Sequence, residues 1–400
     1  MVRELAISLY LFVFKCVFSV FNLIPLKDKT TFVISFGDNS RYVFEEMRRQ
    51  TIQNEVVFLC KGKSIALFKD YDDFTCVPFE TYHLLNWFKS IYHLATSKHI
   101  FVDNYFGFLA AVIFKEEVTC VQLWHASGAI KKFGLEDGSV KNRSERAKQR
   151  FLQVYQQFDK VVVGSDVMAA TFMKSFNLKK ETILTTGVPR TDFFFNEKEK
   201  QKAIQKLTRT HRVLKDKKVI LYAPTYRDHE LENFSIQLNV EKMSQELGNE
   251  YMLILRLHPA IGNSVDFSKI QSDFVFDFSS SQYEINELLA VADYLITDYS
   301  SIPFEFSLLR KPIIFFAYDL EEYKKNRGVL YGFEENLPGP IAKDTDSIIK
   351  LIQNNDFDLN VVDRYAEKWN KYSNGRSSQN LVSYLFEEKS PQVEQRRALL

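Results

Sequence analysis

Val118-Thr-Cys-Val-Gln-Leu-Trp124 is a short apolar run that stops at His125-Ala126-Ser127-Gly128, and Tyr251-Met-Leu-Ile-Leu255 stops in the same way at Arg256-Leu257-His258-Pro259. Short apolar runs closed by turn-forming residues read as buried strands, and strands buried on both faces belong to parallel sheets. Both histidines therefore fall at the carboxyl ends of strands, where open α/β sheets bind their ligands. The chain has only seven histidines. Imidazole is the side chain best suited to move a proton near neutral pH. Two such loops in two halves of the chain predict two similar lobes.

The pattern extends in both directions. Thr31–Phe36, Glu55–Cys60, His99–Asp103, Lys160–Ser165 and Thr182–Gly187 read as further strands of the first lobe, with helices over Arg41–Gln50 and Met168–Phe176. The charged run Glu197–Lys218 reads as the link to a second lobe. Its strands are Lys218–Ala223, Tyr251–Arg256, Phe274–Phe278, Tyr294–Asp298 and Pro312–Phe316. Helices are expected over Glu284–Ala292, Pro303–Leu309, and residues 345–353 and 360–387. The fold class is α/β: two Rossmann-like lobes with parallel sheets and a cleft between them, plus an N-terminal amphipathic helix. The expected division is 1–26 for that helix, 27–205 and 206–355 for the lobes, 356–390 for C-terminal helices packing back across them, and 391–400 for a tail.

Four hundred residues exceed one ordinary core. An apolar share of 46% against 26% charged residues reads as globular, and a net charge of +1 supplies no global field for nucleic acid. Cys16, Cys60, Cys76 and Cys120 form no CxxC pair and no zinc spacing, so reduced, buried thiols are expected. No HExxH, Walker A loop or GxGxxG is present. Asp70-Tyr-Asp72-Asp73 matches a metal-binding DxD only superficially, because no strong strand precedes it, and no metal site is assigned.

From Leu5 to Ile24 the chain is apolar, with Lys15 its only charge. The length suits a membrane span. Yet Glu4, Ser8, Lys15, Ser19 and Asn22 fall on one narrow stripe at about 100° per residue. This reads as a helix lying in the membrane interface or packed on a membrane-side surface, stopped at Pro25. A signal anchor and a helix packed merely on the protein itself are the alternatives.

Four loops carry groups suited to chemistry. Gly187-Val-Pro-Arg190-Thr-Asp192 makes a rigid turn from which a guanidinium can fork onto phosphate or carboxylate; pairing with Asp192 is the plain alternative. Ala223-Pro-Thr225-Tyr-Arg227 offers a hydroxyl and a permanent charge. In Asp298-Tyr-Ser300-Ser301-Ile-Pro303-Phe-Glu305, two serines precede a proline-started helix, whose N–H groups and hydroxyls suit a phosphate or simply cap the helix. Glu305 is a ribose acceptor or a helix-dipole partner. His125 is followed by Ser127, Lys131 and Lys132, and its plain alternative is a hydrogen-bonded structural histidine.

Together these loops resemble the CDP-glycerol glycerophosphotransferase family of wall teichoic acid synthesis. The resemblance rests on Gln122–Gly134, Gly187–Asp192, Leu221–Asp228, Arg256–Pro259, Asp298–Glu305, Ala317–Leu320 and Pro338–Pro340, in that order. Trp124-His-Ala-Ser-Gly128 stands where the family's polymerases typically read Trp-His-Gly-Thr-Pro. With Lys368–Asn380, it resembles the family's glycerol-phosphate primases. The resemblance implies a GT-B-like fold on the cytoplasmic face of the cell membrane, held peripherally, with an acceptor lobe followed by a CDP-glycerol lobe. The implied reaction moves one sn-glycerol 3-phosphate from CDP-glycerol to the ManNAc of undecaprenyl-diphosphate-linked GlcNAc–ManNAc, releasing CMP.

On that resemblance His125, His258 and Arg227 are catalytic. Thr225, Arg227, His258, Ser300, Ser301 and Glu305 bind the donor, and Arg190, Ser127, Lys131 and Lys132 meet the acceptor or the transferred phosphate. No cofactor is implied, no metal is needed if these donors suffice, and a homo-oligomer is compatible. The rivals are another CDP-glycerol or CDP-ribitol phosphotransferase of the family, a GT-B glycosyltransferase using a nucleotide sugar, and a non-catalytic nucleotide-binding membrane adaptor.

Overall fold

The computed structural model describes residues 2–68, 71–72, 74–225, 227, 235–257, 274–280, 282–327 and 334–387. The chain forms two compact units. One comprises the residues up to Ala126, Phe133–Asp192 and the chain from Tyr372; the other comprises Ser127–Lys132 and Phe193–Lys371.

The first unit is built on β1 (Lys27–Ile34), β2 (Glu55–Lys61), β3 (Thr75–Phe79), β4 (Ser97–Val102), β5 (Thr119–Gln122), β6 (Lys160–Val162) and β7 (Ile183–Leu184). Their order in the sheet is β3-β2-β1-β4-β5-β6-β7, and every pairing is parallel. The second unit is built on β8 (Lys218–Ala223), β9 (Tyr251–Leu255), β10 (Val275–Asp277), β11 (Tyr294–Thr297), β12 (Ile313–Phe316) and β13 (Ile341–Ala342). Their order is β10-β9-β8-β11-β12-β13, again all parallel. The α/β expectation holds, with the same winding in both units. In each, strand order reverses beside the unit's first strand, between β1 and β4 and between β8 and β11, the place where open α/β sheets bind their ligands.

Two strands escaped the sequence reading. β3 carries Pro78, which lacks a donor and is tolerated because β3 is an edge strand. β13 is two residues long, too short for a periodic signal. The inner strands carry apolar runs toward their carboxyl ends, where helices cover both sheet faces. Phe32, Phe58, Phe101 and Val121 fill the first core, and Ile220, Leu253, Ile296 and Ile314 the second. Burying each such side chain contributes about 1.5–3 kcal/mol.

The helices are α1 (Val2–Phe21), α2 (Asp38–Arg49), α3 (Leu84–Thr96), α4 (Glu145–Tyr155), α5 (Asp166–Ser175), α6 (Glu197–Thr210) and α7 (Val240–Leu247). They continue with α8 (Ile285–Val291), α9 (Ile302–Phe306), α10 (Leu320–Arg327), α11 (Thr345–Asn354), α12 (Leu359–Trp369) and α13 (Ser377–Phe386). The charged run read as a link is mostly α6, which belongs to the second unit and reaches α8 through Lys206 and Glu287 at 2.8 Å. The helix expected over 360–387 is two helices. Between them Tyr372 N–H bonds Gly164 O at 2.9 Å, and Asp192 accepts from the Ser377 and Ser378 N–H groups at the start of α13.

Helix α1 is long and apolar enough to cross a membrane by length and composition. It nevertheless packs on the first unit. Phe14 and Phe18 are buried, Phe14 against Trp87 and Phe108, and Phe18 against Phe114. Glu4 takes a two-pronged ion pair from Arg150 at 2.8 and 3.1 Å. The cysteine expectation needs correction: Cys60 and Cys120 are buried, but Cys16 is exposed on α1 and Cys76 is half-buried at the sheet edge. All four are free thiols.

Candidate active site

In the first unit, the loop after β5 is shaped by polar clamps. Trp124 adopts φ 56°, an uncommon left-handed conformation for a residue with a side chain. Its N–H donates to Gln122 Oε1 at 2.8 Å, its carbonyl accepts from Asn39 Nδ2 at 2.9 Å, and its indole packs on Phe133, Phe172 and Phe176. This turn delivers His125 into a stack. The imidazole lies 4.2 Å from the Phe36 ring at 18° and 4.4 Å from the Trp124 ring at 30°.

His125 Nδ1 lies 3.2 Å from the backbone carbonyl of Asp103. A carbonyl only accepts, so the neutral ring carries its proton on Nδ1 and offers a lone pair at Nε2. Burial between the two aromatic rings, opposed by the carbonyl and aided by Arg190, holds the imidazole down at about 4. The ring is therefore neutral at physiological pH, in the tautomer a general base needs.

Asp103 also anchors the loop that carries Phe36. Its carboxylate accepts from the N–H groups of Ser35, Phe36 and Gly37, each at 2.8 Å. Burial pushes this carboxyl up to about 6, against those three donors. Arg190 is buried nearby. Its N–H donates to Asn39 Oδ1 at 3.0 Å and its guanidinium reaches Asp38 at 3.5 Å. The turn before it depends on Gly187, at φ 86°, where a Cβ would lie 2.5 Å from the Tyr372 carbonyl.

In the second unit, the loops after β8 and β11 are tied together. Asp298 is buried and accepts from Thr225 N–H (2.8 Å), Thr225 Oγ1 (2.9 Å) and Tyr299 N–H (2.6 Å). Its other oxygen pairs with Arg227 at 3.1 Å. Arg227 forks onto Asp319 at 2.7 and 3.0 Å and sits against the rings of Tyr299, Tyr318 and Tyr323. Burial works against its charge, but the two acids more than offset this and its pKa is raised. Arg227 thus stands as the centre of a satisfied network, not as a free charge on an open loop.

Ser300 Oγ shares a 2.7 Å hydrogen bond with Thr297 Oγ1 and also accepts the Ile302 N–H. Ser301 precedes α9 without a side-chain cap. Ser127 and Glu305 meet: the buried hydroxyl donates to Glu305 Oε1 at 2.6 Å. Gly128 follows because a Cβ there would sit 2.5 Å from the Phe304 ring, itself wedged against Tyr365 and Trp369. Lys131 lies over the Tyr323 ring at 5.2 Å, and Lys132 is exposed. His258, Pro259, Asp70, Asp73, Tyr226 and Asp228 lie outside the described residues. Among the described residues no group of three His, Cys, Asp or Glu is placed to hold a metal ion.

Sequence reading missed Asp103, Phe36, Asn39 and Asp319, and did not give Asp298 a role. A signal existed for two of them. Asp103 and Asp298 each follow an apolar run directly, and each lies across the reversal of strand order from the unit's first strand.

Residues 16–387 match the family described as CDP-glycerol:poly(glycerophosphate) glycerophosphotransferase. The chain belongs to that family. It is accordingly a phosphotransferase. The teichoic acid glycerol-phosphate primase of Bacillus subtilis is 35% identical over 384 residues, covering 96% of this chain and 98% of that protein. The teichoic acid poly(ribitol-phosphate) polymerase of Bacillus spizizenii is 34% identical over 394 residues, but only 60% of its length is covered. Among solved structures, that of the wall teichoic acid polymerase TagF superposes with a TM-score of 0.78 at 25% identity, covering 99% of each chain. The fold is GT-B-like.

Proposed function

We propose that this family member is a glycerol-phosphate primase of wall teichoic acid synthesis, transferring one sn-glycerol 3-phosphate from CDP-glycerol to the ManNAc of undecaprenyl-diphosphate-linked GlcNAc–ManNAc. The observation that carries the chemistry is His125, neutral and with Nε2 left as the acceptor. The sugar hydroxyl oxygen attacks the glycerol-bearing phosphorus of CDP-glycerol. A new O–P bond forms as the bond to the bridging oxygen breaks. The hydroxyl proton passes to His125 Nε2, and CMP leaves with the charge of the bridging oxygen.

Thr225, Ser300 and Ser301 hold phosphate oxygens, and Glu305, set by Ser127, meets the ribose. His258 offsets the charge growing on the diphosphate. Arg227 acts chiefly by locking the Thr225 loop, because two acids already balance its charge. Arg190, Lys131 and Lys132 meet the acceptor or the transferred phosphate. The resemblance of Trp124-His-Ala-Ser-Gly128 and Lys368–Asn380 to the primase form supports a single addition over polymerisation. The apolar helix α1 supports a peripheral position on the cytoplasmic membrane face, near a lipid-linked acceptor.

The test is mass spectrometry of products from CDP-glycerol and a short-chain diphosphate-linked GlcNAc–ManNAc acceptor. Wild type should add one glycerol phosphate. His125→Ala should lose about 10²–10⁴ in turnover while still binding CDP-glycerol. A ladder of additions means a polymerase; use of CDP-ribitol or a nucleotide sugar means one of the other rivals; binding without turnover in wild type means an adaptor.

A further inference from the structure

Helix α1 has three sectors around its axis, at about 100° per residue. Phe14 and Phe18 face the first unit and are buried. On the opposite side, Leu5, Leu9, Val13 and Val20 are exposed. Between these sectors runs a polar flank, where Ser8 and Lys15 of α1 face Arg146, Gln149 and Arg150 of α4 across a groove of about 260 Å³. Phe12, exposed, forms the border between groove and apolar sector.

The charges in this groove do not cancel. Arg150 is paired with Glu4. Among the described residues, Lys15 Nζ and the Arg146 guanidinium have no hydrogen-bond or ion-pair partner. Two unpaired cations on separate helices, with a serine hydroxyl and a glutamine amide between them, form a donor-rich site that matches a phosphate group. A helix lying in the membrane interface sinks its apolar sector toward the acyl chains and holds its flank at the depth of the headgroups.

We propose that the α1–α4 groove is a headgroup site for an anionic phospholipid of the bilayer, with Lys15 and Arg146 gripping the phosphate. The proposal rests on the reading of α1 as a membrane-facing helix. It adds that a specific pair of cations, beyond the apolar sector, selects negatively charged lipid.

Flotation of the full chain with neutral phosphatidylcholine vesicles, and with the same vesicles carrying phosphatidylglycerol, tests it. Wild type should bind the anionic vesicles at least tenfold more tightly, since each cation near an anionic surface contributes independently. The double variant Lys15→Gln, Arg146→Gln should lose most of that preference, keep wild-type binding to neutral vesicles, and keep turnover on the short-chain acceptor. Both side chains are exposed, so folding is unaffected, and an unchanged melting temperature checks this. Retention of the anionic preference by the double variant would overturn the site while leaving the membrane reading intact. Lost turnover on the short-chain acceptor, with lipid preference intact, would reassign the groove to the substrate diphosphate and equally overturn it. If wild type binds neither vesicle, the membrane reading fails and the headgroup site with it.

Discussion

Asp103 and Asp298 hold the same place in two sheets and solve the same problem differently. Each follows the strand that lies across the reversal of order, β4 or β11, and each accepts N–H groups from the loop leaving the first strand, β1 or β8. Asp103 has three backbone donors, and among the described residues no cation pairs with it. Asp298 has donors and Arg227, which Asp319 balances in turn. Burial raises both carboxyls, and at Asp298 the guanidinium opposes the rise. The uncompensated acid holds the Phe36 loop through its carboxylate and the His125 ring through its backbone carbonyl. The compensated acid sits in a network that fixes the polar loop bearing Thr225. One scaffold thereby holds a neutral imidazole in one unit and a rigid polar platform in the other.

Breaking the compensated site should cost most. In Asp298→Asn the amide nitrogen must face Arg227, or else the Thr225 and Tyr299 N–H groups. Chemical denaturation should show a loss of about 3–5 kcal/mol, because a buried guanidinium loses a partner. Asp103→Asn should cost less, about 1–3 kcal/mol, since its amide can keep only part of the three backbone bonds. Equal losses at the two positions would erase the distinction between them.

The Asp103 contrast sharpens with pH. Its folded pKa of about 6 lies above its ordinary 3.8, so the stability linked to it is full below the ordinary value and is lost as pH rises through 6. Acidifying from pH 7.5 to 5 should therefore widen the gap between wild type and Asp103→Asn by about 1 kcal/mol in denaturation midpoints converted to free energy. His125 shifts the other way, with stability present above 6.5 and lost as pH falls through about 4. It titrates in both proteins and cancels in the difference. A gap independent of pH would contradict an uncompensated Asp103.

The smallest effect concerns the stack on His125. Phe36→Ala removes one of the two rings that desolvate His125. Turnover should fall about three- to tenfold, the scale of one aromatic pair. The acid limb of the kcat/KM profile should move to higher pH as the imidazole rises from about 4 toward its ordinary value. An unmoved limb would leave Phe36 with packing alone.

Much of this was legible in the chain. Apolar runs ending in His125, Arg190, Thr225 and Ser300 marked strands and loops, because a strand buried on both faces must be apolar along its length and changes composition where it emerges. The Pro78 strand and the two-residue β13 were not legible, since edge and very short strands carry no such pattern. Sequence also placed Arg227 and Glu305 in polar loops but left their partners open.

What the sequence by itself determined was the alternation of strands and helices, the family, and the loops that carry chemistry. These follow from periodicity and local residue type, which act over a few neighbours. Only the tertiary structure decided that Asp103 sets the tautomer of His125 while pinning Phe36, that Arg227 is balanced by Asp298 and Asp319, and that Ser127 meets Glu305. Those pairings join residues 22, 71, 92 and 178 positions apart. The order of strands in each sheet brings such groups together, and that order is fixed by packing both faces of a parallel sheet, not by any local pattern.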